Sequence, residues 1–185
     1  MPPLTEQFVA ALRSVGGRAV TVTSAAAAAD YLAEHLDGAL LLPTSPSLQR
    51  VDLPRALMAA GVTLLDVDFR SRGATARGGL TGANFAIAAT GTVVLESTDE
   101  DVRLASTLPE QHFVILDPRK IVADSRAAAP TLRAFHEGSP RCYLAWITGP
   151  SRTADIERVL TIGVHGPRDL HVLLWEGLSD DPLER

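Results

Sequence analysis

A chain of 185 residues, 46% hydrophobic and 21% charged, suits one domain with a real core and leaves little room for two. Its net charge of -5 and 5% aromatic content argue against general nucleic-acid binding, because acidic charge repels phosphate backbones and stacking platforms need more rings. The longest apolar runs, such as "GALLLP" and "LHVLLW", fall far short of the ~20 residues that span a bilayer.

In "MPPLTEQFVAALRSVGG", Leu4, Phe8, Leu12 and Val15 recur at helical spacing, and Gly16-Gly17 stops the helix. No basic region followed by an apolar one precedes it, so it reads as an amphipathic helix rather than a signal peptide, and a cytoplasmic location is the default expectation. "RAVTV" is a short strand. Ser24 is placed to cap the helix "AAAAADYLAEHL". "GALLLP" is an apolar strand, "LPRALMAA" a helix and "VTLLDV" a strand. Strands alternating with helices predict an α/β fold around a mostly parallel sheet.

Residues 66–79, "DVDFRSRGATARGG", are polar and Gly-rich and read as a solvated connection or a mobile crossover. Thr81 is expected to cap a short helical turn ending near Ala89, before Thr90-Gly91 turns the chain into the strand "TVVLES". "HFVILD" is a strand and "PTLRAFHEG" a helix. Strand "YLAWIT", helix "TADIERVL" and strand "LHVLLWE" then read as a βαβ-like unit with its loops at a sheet edge, where α/β folds place ligands. Cys142, in the apolar run "RCYLAWIT", is expected to be a buried structural thiol. A lone cysteine can form no internal disulfide and cannot by itself hold an iron–sulfur cluster or a Cys-rich zinc site.

Two stretches can carry chemistry. In "GPSRTADIE", Ser151 and Thr153 can accept from free N–H groups at a helix start, and Arg152 adds a fork suited to carboxylate or phosphate. Asp155 and Glu157 complement the helix dipole themselves, so a self-capped helix is an equally good reading. His165, in "GVHGP", is either a proton carrier or the anchor of its own loop. His165 and His171 lie six apart with no third ligand at obvious spacing, so no metal site is expected. Thr90, Gly91 and Thr92 form a second stretch that either cradles an anion with N–H groups or simply turns tightly. A nucleophile elbow, a Walker A loop and a G-x-G-x-x-G turn are absent.

Three blocks, "GLTGANFAIAATGTVVLES", "RLASTLPEQHFVILDPRKIVAD" and "GPSRTADIERVLTIGVHGPRDLHVLLWE", together resemble the lactate utilization protein C family (the LUD domain) in order and spacing, over residues 79–176. The resemblance implies a single LUD domain over residues 1–185 with a three-layer α/β sandwich like that of the NagB/RpiA/CoA-transferase group. It implies a place in L-lactate oxidation beside separate iron–sulfur partner subunits, with no cofactor in this chain. The positions that match the family's motifs are Thr81, Thr90, Gly91, Thr92, Arg103, Ser106, Pro109, Ser151, Arg152, Thr153, Asp155, Ile156, His165, Gly166 and Pro167. Many members carry an acidic residue directly before the T-G-T, where this chain has Ala89; that departure favours an accessory role over intrinsic catalysis.

The resulting expectation is an accessory, anion-binding subunit that holds a small ligand among Thr90, Gly91, Thr92, Arg103, Ser151, Arg152, Thr153 and Asp155, with His165 as the candidate catalytic group. The alternative is a free-standing enzyme of the same superfold acting on a phosphorylated, thioester or folate substrate, with Arg152 neutralising the substrate and His165 as acid or base. A third reading makes these residues helix caps and loop anchors on an assembly surface.

Overall fold

A computed structural model describes residues 3–138, 141–154 and 160–184. The elements run α1 (Leu4–Ser14), β1 (Arg18–Thr21), α2 (Ala25–His35), β2 (Ala39–Leu41), α3 (Pro46–Arg50), α4 (Leu53–Ala59), β3 (Thr63–Leu65), α5 (Phe69–Arg72), β4 (Ala76–Gly82), β5 (Phe85–Ile87) and β6 (Thr92–Glu96). They continue with α6 (Glu100–Thr107), β7 (Gln111–Leu116), β8 (Ile121–Val122), α7 (Ala129–Gly138), β9 (Leu144–Ile147), β10 (Arg152–Ala154), β11 (Leu160–Ile162) and β12 (Asp169–Leu174). Among the described residues no helix is long and apolar enough to cross a membrane.

Six strands form one sheet in the order β1-β12-β7-β4-β2-β3, every neighbouring pair parallel. A parallel sheet is covered on both faces, so its strands must be apolar on both. Along β7, Phe113 and Ile115 join Leu32, Leu48, Leu53 and Leu57 of the α2–α4 helix layer. Val114 and Leu116, pointing the other way, meet Phe8 and Leu12 of α1 and Ala86, Val93 and Leu95 of a second sheet. That second sheet has the order β8-β5-β6-β9, and its outer face packs Phe85, Ile87 and Val94 against Phe135 of α7 and Ala128 just before it. Helices, parallel sheet, and a layer of α1, α6 and small sheet make the three-layer α/β sandwich.

Several elements follow directly from local chemistry. Ser24 caps α2 by accepting from the Ala27 N–H at 3.1 Å. Asp99 caps α6 by accepting from Asp101 N, and Glu100 and Asp101 fill the first turn. The "DEDVRLAST" pattern carries that signal in the sequence.

Other expectations are corrected. Residues 66–79 are no simple connection: they contain α5, a 3-10 turn at Gly73–Thr75 and the start of β4, a central strand. The glycines there serve packing, since a Cβ on Gly79 would overlap the Ala105 carbonyl of α6. Thr81 caps no helical turn; it lies inside β4, paired with Val114. The expected βαβ unit does not form, because β9 joins the small sheet antiparallel to β6 while β12 joins the large one. The expected helix over "TADIERVL" begins as a strand: Arg152, Thr153 and Ala154 pair antiparallel with Ile162, Thr161 and Leu160. Residues 155–159 lie outside the described residues. Cys142 is half-buried against the Phe85–Phe135 cluster rather than deeply buried.

Candidate functional site

Gly149 and Pro150 turn the chain out of β9, and the strand pairing of β10 with β11 then brings Ser151 back against the loop that precedes β12. The Ser151 N–H donates to the Pro167 carbonyl at 2.8 Å, and the Ser151 carbonyl accepts from the Gly163 N–H at 2.9 Å. These bonds dock "GPSR" on "GVHGP" and spend the backbone donor that a helix start would have offered an anion. The anion-binding logic therefore shifts from free N–H groups to side chains.

Those side chains surround a cavity of about 390 Å³ at the amino ends of β7 and β12. Ser151, Arg152 and His165 line it together with Trp146, Thr148, Ser106 and His112. No carboxylate stands among the described residues of the lining, so the described wall carries a guanidinium without an opposite charge. Arg152 donates from Nη2 to the Val15 carbonyl at the end of α1, at 2.8 Å. A guanidinium has five donors in a fixed fork, so this bond orients Arg152 and leaves donors for a ligand.

The Thr90-Gly91-Thr92 turn backs this wall without entering it. Thr90 and Thr92 share a hydroxyl hydrogen bond of 2.6 Å, and Thr92 shares one of 2.8 Å with Thr148. The Gly91 N–H donates to the Ile87 carbonyl and so cradles nothing. Gly91 is needed instead because its φ is +65° and a Cβ there would overlap the Leu12 backbone of α1. Arg103 lies apart from the cavity: its Nη1 donates to the Ser97 and Thr98 carbonyls, both at 2.6 Å, and its guanidinium sits 6.0 Å from the Tyr143 ring centre. Thr153 is held in the β10–β11 pairing, and Asp155 and Ile156 lie outside the described residues.

His112 is the cavity residue that sequence reasoning missed. It is 1% exposed and shares a 2.9 Å hydrogen bond between its Nε2 and Thr81 Oγ1, in which the tautomer decides the donor. Burial lowers its pKa to about 3, so the ring is neutral. Its Nδ1 is buried with no hydrogen-bond partner among the described residues. The available signal was a histidine inside the apolar strand "HFVILD". No group of three or more His, Cys, Asp or Glu among the described residues is placed to hold a metal ion.

Comparison with known proteins places this geometry in a family. A model of the LUD domain matches residues 5–175. An uncharacterized protein of Neisseria meningitidis serogroup B is 40% identical over 95 residues, covering 51% of this chain and 40% of that protein. Lactate utilization protein C of Deinococcus radiodurans is 39% identical over 97 residues, covering 51% of this chain and 44% of that protein. The aligned stretches thus span less than half the length of these curated relatives. A crystal structure of a DUF162 family protein from Deinococcus radiodurans superposes with a TM-score of 0.65 at 23% identity, covering 93% of this chain and 96% of that one, a likeness of fold. With the LUD model matching from the first helix through the last strand of the parallel sheet, the chain belongs to the LUD domain family.

Proposed function

We propose that this chain is an anion-binding component of a lactate utilization system, taking a small carboxylate in the amino-edge cavity and working in the cytoplasm with separate iron–sulfur partner subunits. The observation that carries the reading is the convergence of Arg152, Ser151 and His165 on one cavity whose described lining holds no carboxylate. The naming of relatives such as the Deinococcus radiodurans protein supplies the metabolic setting. Arg152 neutralises and orients the bound carboxylate through its fork, the Ser151 hydroxyl adds a hydrogen bond, and His165 meets the ligand's second polar group. Oxidising lactate to pyruvate releases two electrons and two protons. The single cysteine of this chain cannot by itself hold an iron–sulfur cluster, so the electrons go to the partners.

Titration calorimetry with lactate, pyruvate and phosphate tests the site. The wild type is expected to bind at least one of them, and Arg152→Gln to bind it roughly ten- to a hundredfold more weakly, as loss of a charged hydrogen bond implies. Absence of binding by the wild type, or equal binding by Arg152→Gln, overturns the site. Lactate oxidation by the purified chain alone overturns the accessory role.

A further inference from the structure

A second concave region lies at the opposite edge of the sheet. The chain runs from β2 outward to β3, then crosses back to place β4 on the other side of β2, so the strand order reverses between β2 and β4. Connections leave such a point in opposite directions and open a crevice at the carboxyl ends of the strands. Here that crevice is lined by Ser45, Ser47, Thr81, Asn84, Glu96 and Lys120. It is polar, yet it is filled from within: residues 178 and 184 also line it and leave only about 60 Å³.

The filling segment is latched at several points. Buried Asp117 accepts from the Gly177 and Ser179 N–H groups at 2.9 and 3.1 Å. The Asn84 amide donates to the Pro182 and Glu184 carbonyls at 3.0 and 2.9 Å. These bonds hold the backbone and explain its path. They do not explain why the segment delivers a carboxylate. Glu184 is only 16% exposed at its side chain, with Oε1 bound by Arg50. Its Oε2 is buried outside good hydrogen-bond geometry among the described residues, with the Ser179 hydroxyl also acting on the carboxylate. Lys120, half-buried, donates to the Ala83 carbonyl at 2.7 Å beside it. A segment serving only to close a gap is better built from apolar side chains, because a buried ion is costly unless fully paired. A carboxylate held on one oxygen by an arginine, among hydroxyls and a lysine and with Glu96 in the same lining, is the arrangement of a ligand in its site.

We infer that the crevice between β2 and β4 is a binding site for a small carboxylate, and that the Glu184 side chain occupies it as an internal stand-in which the ligand displaces. Arg50 and Lys120 supply the charge, and the Ser45 and Ser47 hydroxyls face the remainder of the ligand. The inference is independent of the amino-edge cavity.

Chemical rescue tests it, because propionate reproduces the Glu184 side chain beyond its Cα. The full chain is melted as wild type, Glu184→Ala and Glu184→Gln, with increasing propionate or neutral propionamide. Glu184→Ala is expected to melt lower than wild type and to be restored saturably by propionate but not by propionamide. Adding Lys120→Met to Glu184→Ala abolishes the rescue. Titration calorimetry gives a dissociation constant for propionate at least about tenfold lower for Glu184→Ala than for wild type, in which the side chain competes. Glu184→Gln keeps the shape and loses the charge, and it is expected to bind propionate more tightly than wild type as well; it serves the test if the alanine variant fails to fold. Equal responses to propionate and propionamide, or equal affinities in wild type and both variants, overturn the proposal.

Discussion

The cavity and the crevice lie at opposite edges of one parallel sheet and solve the problem of charge in opposite ways. At the amino edge, loops from both sheets bring Arg152, Ser151 and His165 around an open volume with no described carboxylate in the wall. At the carboxyl edge, where strand order alone points to a ligand site, the chain has placed Glu184 against Arg50. Thr81 joins the two regions: it lines the crevice, and its hydroxyl is bonded to His112, which lines the cavity. The difference teaches that a site's location in a fold and its readiness for a ligand are separate questions. A crevice walled by a further segment of the chain pairs its carboxylate within the chain, whereas a loop-built cavity can leave a guanidinium partly unpaired among the described residues.

The two regions are opposite edges of one cooperative sheet, and Phe113→Ala is expected to disturb it most. Phe113 is fully buried in β7, one of the central pair of strands. Its loss is expected to cost roughly 3–5 kcal/mol in urea unfolding, with one transition seen by probes at either edge. Two separate transitions break the picture of a shared sheet.

Acid is expected to separate the edges. Burial, helped by Arg18 and His35, lowers the pKa of His171 to about 4, and His112 falls to about 3. Unfolded histidines take up protons near pH 6.5, before the folded ones do, so stability is lost as pH falls from about 6.5 to 4, by roughly 3 kcal/mol for His171 alone. The carboxyl edge responds later. Burial raises Asp117, but the Arg119 hydrogen bonds and charge outweigh it and hold the carboxyl below its usual range. The Arg50 hydrogen bond holds Glu184 low as well, with the Lys120 charge behind it. Their contributions survive to about pH 4 and are lost only below it. Urea unfolding across this range checks the order, and His171→Gln is expected to flatten the first phase. Constant stability between pH 6.5 and 4 contradicts it.

Thr81→Val tests the link between the regions. The change keeps shape and leaves the buried Nε2 of His112 without its partner, at an expected cost of roughly 1–3 kcal/mol. In a His112→Phe background the same change is expected to cost less, since the hydrogen bond is already gone. An undiminished cost there removes Thr81 as the bridge.

Much of the fold was legible because its signals are local. The helical spacing of Phe8 and Leu12, the Ser24 cap and the apolar runs of β2, β7 and β12 each involve residues a few positions apart. The candidate site was legible in part: the motif pair named Ser151, Arg152 and His165, and the structure brings them together. Arg103 and Gly91 were misplaced because one guanidinium serves a loop as readily as a ligand, and one glycine serves close packing as readily as an anion turn.

What the sequence determined by itself is the α/β class, the parallel sheet and the family, since periodicity, capping and motif order are all written along the chain. What only the tertiary structure decided is which groups meet. The β10–β11 pairing overrode the helical reading of Ser151 to Thr153. The bond from Arg152 to Val15 spans 137 positions, and the pair of Arg50 with Glu184 spans 134. Contacts at that separation arise when layers close over buried apolar faces, and local pattern carries no record of which polar side chains that closure will bring face to face.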